Sequence, residues 1–589
     1  MKNRHYFIVI IILFNIVCPY GLKAYTLFDK GKSNYSIVVS DAATPSEKFA
    51  AKEMQFYLHK ISNIMLPIVR ETEGVHGNRI YIGFNREVAF LNPNLKIIAN
   101  GKQNFKYLNV GGDIIIIGGL NNGTLYGVYS FLEREFSVRW LTKDYTDIPK
   151  KESWLFYSLD YFSSPAFEYR YIYSKSAFDV LWSLRNFNNG RPNTIKTEYG
   201  VIEANQNSFW SVHTFNRFVS PEKYFTTHPD FFSLINGKRE PKQLCLTNEK
   251  VLELCVEGIK NVIKKYPQYQ IYDLSQNDNV ASCQCLKCRL IKLKYGSESG
   301  LIIWFVNKVA HIIKKEYPDK MVGTLAYQFS QRPPKRIKPD NNVAIRLSVI
   351  NTCLIHDYLN CRYNKEAYAD IKGWSNITNN LYIWDYISSS RIYYAPIPNF
   401  ESIKRRLLFY RDCGIKGVMF EGNSSIDNGE FSDLRNYVIT KLLWSPDLEL
   451  DIIVNDFMTR YYKNVATYMK EYYLMTQKRA TIEDNHLHFV MDHKNSIYKE
   501  NYLESAYQLL SLAGERAEDD VIRWRVNAEK MSVAYMLCKV NPILGHKIGA
   551  FSFVKDWTEL NGITSFAGYG DNVNKETFFN QMSKLIQSN

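Results

Sequence analysis

Apolar residues recur along this chain in three successive rhythms, and each rhythm predicts a different kind of unit. From Tyr35 to Ser40 a short apolar run predicts a strand, and Thr44-Pro45-Ser46-Glu47 behind it is a capping box with proline at the first helical position. Ala50, Met54, Tyr57, Leu58 and Ile61 then fall on one helical face. Ile80 to Phe84 predicts a further strand. Lys106 to Val110 and Ile114 to Ile117 flank Gly111-Gly112-Asp113 as the arms of a β-hairpin. Leu125, Val128, Tyr129, Leu132 and Phe136 mark a second amphipathic helix, so residues 25–155 form a small α/β unit. Gly118-Gly119 and Asn121-Asn122-Gly123 lack the Lys-Ser/Thr of a phosphate loop and are expected to be a strand-to-helix turn.

Beyond Pro165 short β-rich runs alternate with helical patterns, the signature of repeated βα units. Eight runs can be counted: Phe167 to Tyr173, Leu184 to Phe187, Phe209 to Phe215, Ile271 to Ser275, Val322 to Tyr327, Ala344 to Ile350, Leu381 to Trp384 and Gly417 to Phe420. Residues 156–446 are therefore expected to close as a (β/α)8 barrel, with Lys250 to Lys265, Gly300 to Glu316 and Ile403 to Cys413 among its helices. From Asp447 the strands stop. Helical patterns from Ile452 to Lys478 and from Tyr502 to Val540 make 447–589 a helical third unit, giving an α/β protein overall.

The first 24 residues change where this protein is expected to work. Lys2, Arg4 and His5 precede an apolar run from Phe7 to Val17, and Leu22-Lys23-Ala24 suits signal peptidase, so export to periplasm, cell surface or medium is expected. Cys18 offers lipidation as an alternative. The apolar run is shorter than the roughly 20 residues that span a bilayer. With 73 Lys+Arg against 59 Asp+Glu the net charge is +14, but the basic residues are scattered and form no arm or stripe, so no nucleic-acid partner is expected. An ordinary solvated surface accounts for the charge, an acidic carbohydrate being the partner that would suit it better, and the 42 Tyr and 10 Trp belong mostly to core and interfaces while some can supply faces on which sugars stack.

A (β/α)8 barrel places its chemistry at the C-terminal ends of its strands. Three carboxylates follow strand runs there: Asp278 after the fourth, Asp385 after the seventh and Glu421 after the eighth. Paired carboxyl groups are what glycoside hydrolysis needs, one to protonate the leaving oxygen and one as base or nucleophile. Trp210, His213 and Asn216 at the third run, Asn277 beside Asp278, and Tyr327 with Gln328 at the fifth are candidates to hold sugar hydroxyls. His213 could equally satisfy a core hydrogen bond, as could Asn186 and Asn188. Trp384 and Tyr386 form either a stacking wall or the closure of the barrel top. Cys283, Cys285 and Cys288 follow Asp278 with metal-like spacing, and Cys245 is a candidate fourth ligand. A structural metal and a disulfide both fit, and the chemistry requires no cofactor.

The motifs also carry a resemblance. Ala50 to Pro67 with Gly123-Thr124-Leu125-Tyr126-Gly127-Val128-Tyr129 resembles the N-terminal domain of family 67 α-glucuronidases. His228-Pro229-Asp230-Phe231-Phe232, Gln243-Leu244-Cys245-Leu246-Thr247, the cysteine cluster, Trp384-Asp385-Tyr386 and Leu442-Leu443-Trp444-Ser445-Pro446 resemble the family called domain of unknown function 4838. The resemblance implies a catalytic barrel in which Asp278 occupies the position of the acid and Asp385 and Glu421 those of base candidates, with Asp standing where the α-glucuronidases carry Glu. The expected function is an exported glycoside hydrolase acting on a uronic-acid-containing glycan, the alternative being a catalytically silent glycan-binding protein.

Overall fold

A computed structural model describes residues 23–587 apart from 75, 120–121, 191–211, 427–428, 483–484, 492 and 567–573. The expected signal segment, Cys18 included, lies outside the described residues except for Lys23 and Ala24.

The N-terminal unit is built on a six-stranded sheet. Its elements are β1 (Tyr35–Val39), α1 (Pro45–Ser62), β2 (Ile68–Arg70), β3 (Asn78–Ile82), β4 (Phe105–Val110), β5 (Asp113–Gly118), α2 (Gly123–Glu135) and β6 (Asp160–Ser163), in the sheet order β6-β4-β5-β3-β1-β2. The capping box forms as the sequence implies: Glu47 N–H donates to Thr44 Oγ1 and Thr44 N–H to Glu47 Oε2. The β4–β5 hairpin is antiparallel. Met54, Tyr57 and Leu58 of α1 and Leu125, Val128 and Tyr129 of α2 pack with Ile37, Ile80 and Ile116 in one core.

The second sheet is curled and wholly parallel, made of β7 (Tyr169–Tyr173), β8 (Ile271–Asp273), β9 (Met321–Ala326), β10 (Val343–Ser348), β11 (Leu381–Tyr386) and β12 (Gly417–Glu421). Its order, β7-β12-β11-β10-β9-β8, is that of a (β/α)8 barrel in which, among the described residues, the second and third strands are not formed. Leu184 to Phe187, expected as strand two, ends the helix α3 (Val180–Arg185), whose N-terminus Asp179 caps by accepting from Trp182 N–H. Leu184 and Phe187 are buried against the N-terminal core and Arg185 pairs with Glu53 of α1 at 2.9 Å. A run that short and apolar does not distinguish a strand from a buried helix end. Of the expected strand three, residues 209–211 lie outside the described part, and Phe215 begins a short helix. Both sheet edges are nevertheless occupied. Asn189 N–H donates to Arg170 O beside β7, and Phe215 N–H donates to Ser275 O past β8.

The outer helices include α4 (Glu249–Lys265), α5 (Glu298–Glu316), α6 (Lys365–Ser375), α7 (Phe400–Asp412) and α8 (Ser432–Trp444). The C-terminal helices include α9 (Leu450–Tyr462), α10 (Ala466–Lys478), α11 (Glu500–Arg516) and α12 (Asp520–Val540). The two long helical patterns are each broken once, the second at Asp519, which caps α12 by accepting from Ile522 N–H. Barrel helices and C-terminal helices share one hydrophobic core, in which Leu407 and Val438 join Phe457, Leu503 and Val533. Among the described residues no helix is long and apolar enough to cross a membrane.

Candidate active site at the barrel mouth

Side chains alternate across a strand, so each strand end sends one residue into the barrel and the next towards the outer helices. On β11 the inward set is Tyr382, Trp384 and Tyr386. Tyr382 and Trp384 pack with Tyr169, Tyr171, Ala344 and Met419 in the barrel interior, and the Trp384 and Tyr386 rings are stacked, centroids 6.3 Å apart. On β12 the inward set ends at Glu421. Trp384 Nε1 donates to Glu421 Oε2 at 2.9 Å. Glu421 is 8% exposed, and burial raises its carboxyl from 4.5 to about 7 against the lowering effect of that indole hydrogen bond. It is thus a carboxyl group able to hold a proton near neutral pH.

Asp385, one residue on, faces the other way, and this corrects its assignment as a catalytic carboxylate. It is fully buried, with Arg406 of α7 donating to Oδ1 at 2.7 Å and Tyr410 to Oδ2 at 2.7 Å. Its own strand neighbour Tyr386 donates its N–H to Oδ1 as well. Every oxygen is engaged between sheet and helix, away from the mouth. Asp385 is a buried structural ion pair rather than half of a catalytic pair.

Asp278 does reach the mouth. It is exposed, and Gln328 Nε2 donates to its Oδ1 at 3.0 Å. The phenol of Tyr327 is raised first by burial and then by the negative charge of Asp278 and, more weakly, of Glu421. Two carboxyl groups from the fourth and eighth strand ends therefore act on one phenol. His213 lies next to it, ring centroids 6.2 Å apart, in a left-handed backbone conformation with φ 64°. His213 Nδ1 is 2.8 Å from Gln276 O. That carbonyl only accepts, so Nδ1 carries the proton and Nε2 is the acceptor.

The amide candidates are engaged with each other. Asn277 Nδ2 donates to Asn216 Oδ1 and to Lys242 O, each at 2.8 Å. Asn277 N–H donates to Gln243 Oε1. The two asparagines tie the 213–216 segment to the loop that follows β8. Asn186 likewise serves structure, donating to Trp140 O and Trp182 O. Asn188 Nδ2 reaches Ser183 Oγ at 3.4 Å. Trp210 lies outside the described residues.

Below the mouth the barrel interior holds a pair that motif and spacing do not single out. Asp273, buried and bonded by Ser275 and Thr214, is raised from 3.8 to about 7 by burial. Arg346, fully buried near Trp384, is lowered to about 10 by burial. The available signal is parity: each charged residue sits at an inward position of an otherwise apolar strand.

Cys245, Cys283, Cys285 and Cys288 bring their Sγ atoms within 4.8 Å of one another. A second group escapes the sequence patterns: Cys353, His356, Cys361 and His486 cluster equally closely, in the loop after β10 and a loop between α10 and α11. The spacing Cys353-x2-His356-x4-Cys361 is its visible part.

Comparison with known proteins agrees with the architecture. A family GH115 4-O-methyl-α-glucuronidase with specificity for decorated arabinogalactans superposes with a TM-score of 0.56 at 11% identity, over 91% of this chain and 77% of that one. A GH138 enzyme targeting pectin rhamnogalacturonan II follows at a TM-score of 0.41 and 10% identity, covering 90% of this chain and 72% of that one. No curated protein matches the chain in sequence at a significant level. The curled parallel sheet and its helical extension are thus a fold that this chain shares with a glycoside hydrolase. The model of the family described as Domain of unknown function (DUF4838) matches residues 140–474, more than half of the sequence, and the chain belongs to that family.

Proposed function

We propose that this protein is an exported glycoside hydrolase acting on a uronic-acid-containing glycan, with Glu421 as proton donor and Asp278 as the opposing carboxylate. The observation that carries the reading is Glu421 itself: an inward-facing carboxyl at a barrel strand end, raised to about 7 by burial and roofed by an indole donor. In the reaction Glu421 gives its proton to the glycosidic oxygen as the bond to the anomeric carbon breaks. The Trp384 N–H then stabilises the carboxylate left behind. Asp278 takes a proton from the attacking water, or attacks the anomeric carbon itself if the two carboxyl groups are about 5–5.5 Å apart. Trp384 and Tyr386 supply the stacking wall, and His213 Nε2 accepts from a sugar hydroxyl. Asp385 holds β11 to α7 and so fixes the residues on either side of it.

The uronic acid draws support from the net charge of +14 and from the 4-O-methyl-α-glucuronidase that shares the fold. Product release from a panel of uronic-acid oligosaccharides, measured beside Glu421→Gln and Asp278→Asn, tests the proposal. Turnover by the parent and its loss in both variants is expected. Binding with no product from any of the proteins would favour the glycan-binding alternative, to which the withdrawal of Asp385 from the mouth lends weight.

A further inference from the structure

We propose that Cys353, His356, Cys361 and His486 form a closed tetrahedral Zn2+ site that fastens the C-terminal helical region to the barrel mouth. The argument is metric. A zinc ion with Zn–S of about 2.3 Å and Zn–N of about 2.05 Å sets tetrahedral edges of about 3.55 Å between S and N and about 3.35 Å between N and N. Cys353 Sγ lies 3.4 Å from His356 Nδ1, Cys361 Sγ lies 3.6 Å from His486 Nδ1, and the two Nδ1 atoms are 3.2 Å apart. These three edges match those of a zinc tetrahedron, with the ion nearer the nitrogens than the sulfurs. His356 Nε2 donates to Ala480 O at 2.9 Å. The carbonyl fixes the proton on Nε2 and turns the Nδ1 lone pair inward, the arrangement expected around a metal-bound histidine. A cleft of about 770 Å³, lined by His356, Cys361 and His486 together with Asp357 and Arg405, gives the ion a path to the ligands.

The site has a position that gives it work. His486 belongs to a segment, 485–491, laid across the loops that leave β10 and β11. Leu354 N–H donates to Leu487 O at 2.7 Å, Ser390 N–H donates to Phe489 O at 2.9 Å, and Phe489 packs on Tyr386 with centroids 4.6 Å apart. An ion held by three ligands of the β10 loop and one from this segment fixes the outer side of the sugar-stacking wall.

Independent distances carry a second site of the same chemistry at Cys245, Cys283, Cys285 and Cys288. Cys245 Sγ is 3.7 Å from Cys285 Sγ and 3.9 Å from Cys288 Sγ, against about 3.8 Å for the edge of a zinc tetrathiolate and about 2.05 Å for a disulfide. Leu234 N–H donates to Cys283 Sγ, and Cys285 stands at the N-cap position of the Leu286–Tyr295 helix.

Metal analysis of the full chain, purified without a polyhistidine tag, tests this. Two zinc equivalents per chain are expected, falling to one in Cys361→Ser with His486→Ala and to one in Cys285→Ser. The parent chain alone provides a second reading. Stripped under reducing conditions and titrated with Co2+, it should bind two equivalents with tetrahedral d–d and thiolate charge-transfer bands. Less than one equivalent of either metal in the folded, reduced parent, or peptide mapping that finds Cys353 disulfide-bonded to Cys361, would overturn the proposal. A single equivalent that survives Cys361→Ser with His486→Ala would overturn the histidine site and leave the tetrathiolate.

Discussion

The indole of Trp384 and the carboxyl of Glu421 share one 2.9 Å hydrogen bond across the β11–β12 boundary. Because that bond lowers the carboxyl against the raising effect of burial, Trp384→Phe moves the Glu421 titration to higher pH. A proton donor must be protonated to act, so activity falls as pH rises through about 7 and the basic limb shifts upward in the variant. Glu421→Gln lowers kcat by about 10²-fold or more. A pH profile of kcat/KM for the three proteins checks both outcomes, and an unmoved basic limb in Trp384→Phe refutes the assignment.

Folding stability should decline between about pH 4 and pH 8. Asp273, Glu421 and Glu529 are raised by burial to about 7, about 7 and about 8. In that window the unfolded chain has lost protons that the folded one keeps, so raising the pH favours unfolding, each group contributing at most about 1.4 kcal/mol for every pH unit climbed. Urea midpoints at pH 5 and pH 8 measure the slope, and Glu421→Gln should flatten it. A slope of the opposite sign refutes the burial argument.

Asp385→Asn should destabilise the fold by about 3–5 kcal/mol, because Arg406 is left buried without its counter-charge. Activity per folded molecule changes far less than in Glu421→Gln. Urea unfolding combined with active-site titration separates the two effects. A stable but inactive Asp385→Asn would return this residue to the chemistry.

Asp278→Asn should show the reverse balance. The side chain is exposed and accepts from the Gln328 amide at the rim of the mouth, so stability stays within about 0.5 kcal/mol of the parent. kcat falls by about 10²-fold. Equal losses of stability and rate would contradict its placement opposite Glu421.

Periodicity carried most of the architecture because long amphipathic patterns and alternating strand runs are local signals. Thr44 to Ile61 forms a capped helix as its sequence implies, and six of the eight strand runs pair in barrel order. Leu184 to Phe187 misleads because two apolar residues in a run of four are too short a signal to separate a strand from the end of a helix. Glu421, Asp278 and Asp385 all follow strand runs, and position alone does not tell the outward-facing Asp385 from the other two. The difference is parity: Trp384 faces in, so Asp385 faces out, and only Arg406 and Tyr410, distant in sequence, show what it meets. His486 is invisible for the same reason, standing 130 residues from His356 in sequence.

The match that defines the family stops at residue 474, short of the segment that brings His486 and Phe489 against the mouth. Glu421 and Trp384 therefore lie within the shared portion, while part of the rim around them is encoded downstream of it. Because the barrel helices share one hydrophobic core with helices that lie beyond residue 474, a truncation there would cut through α10 and lay that core open to water, so the matched portion depends on chain outside it for its stability.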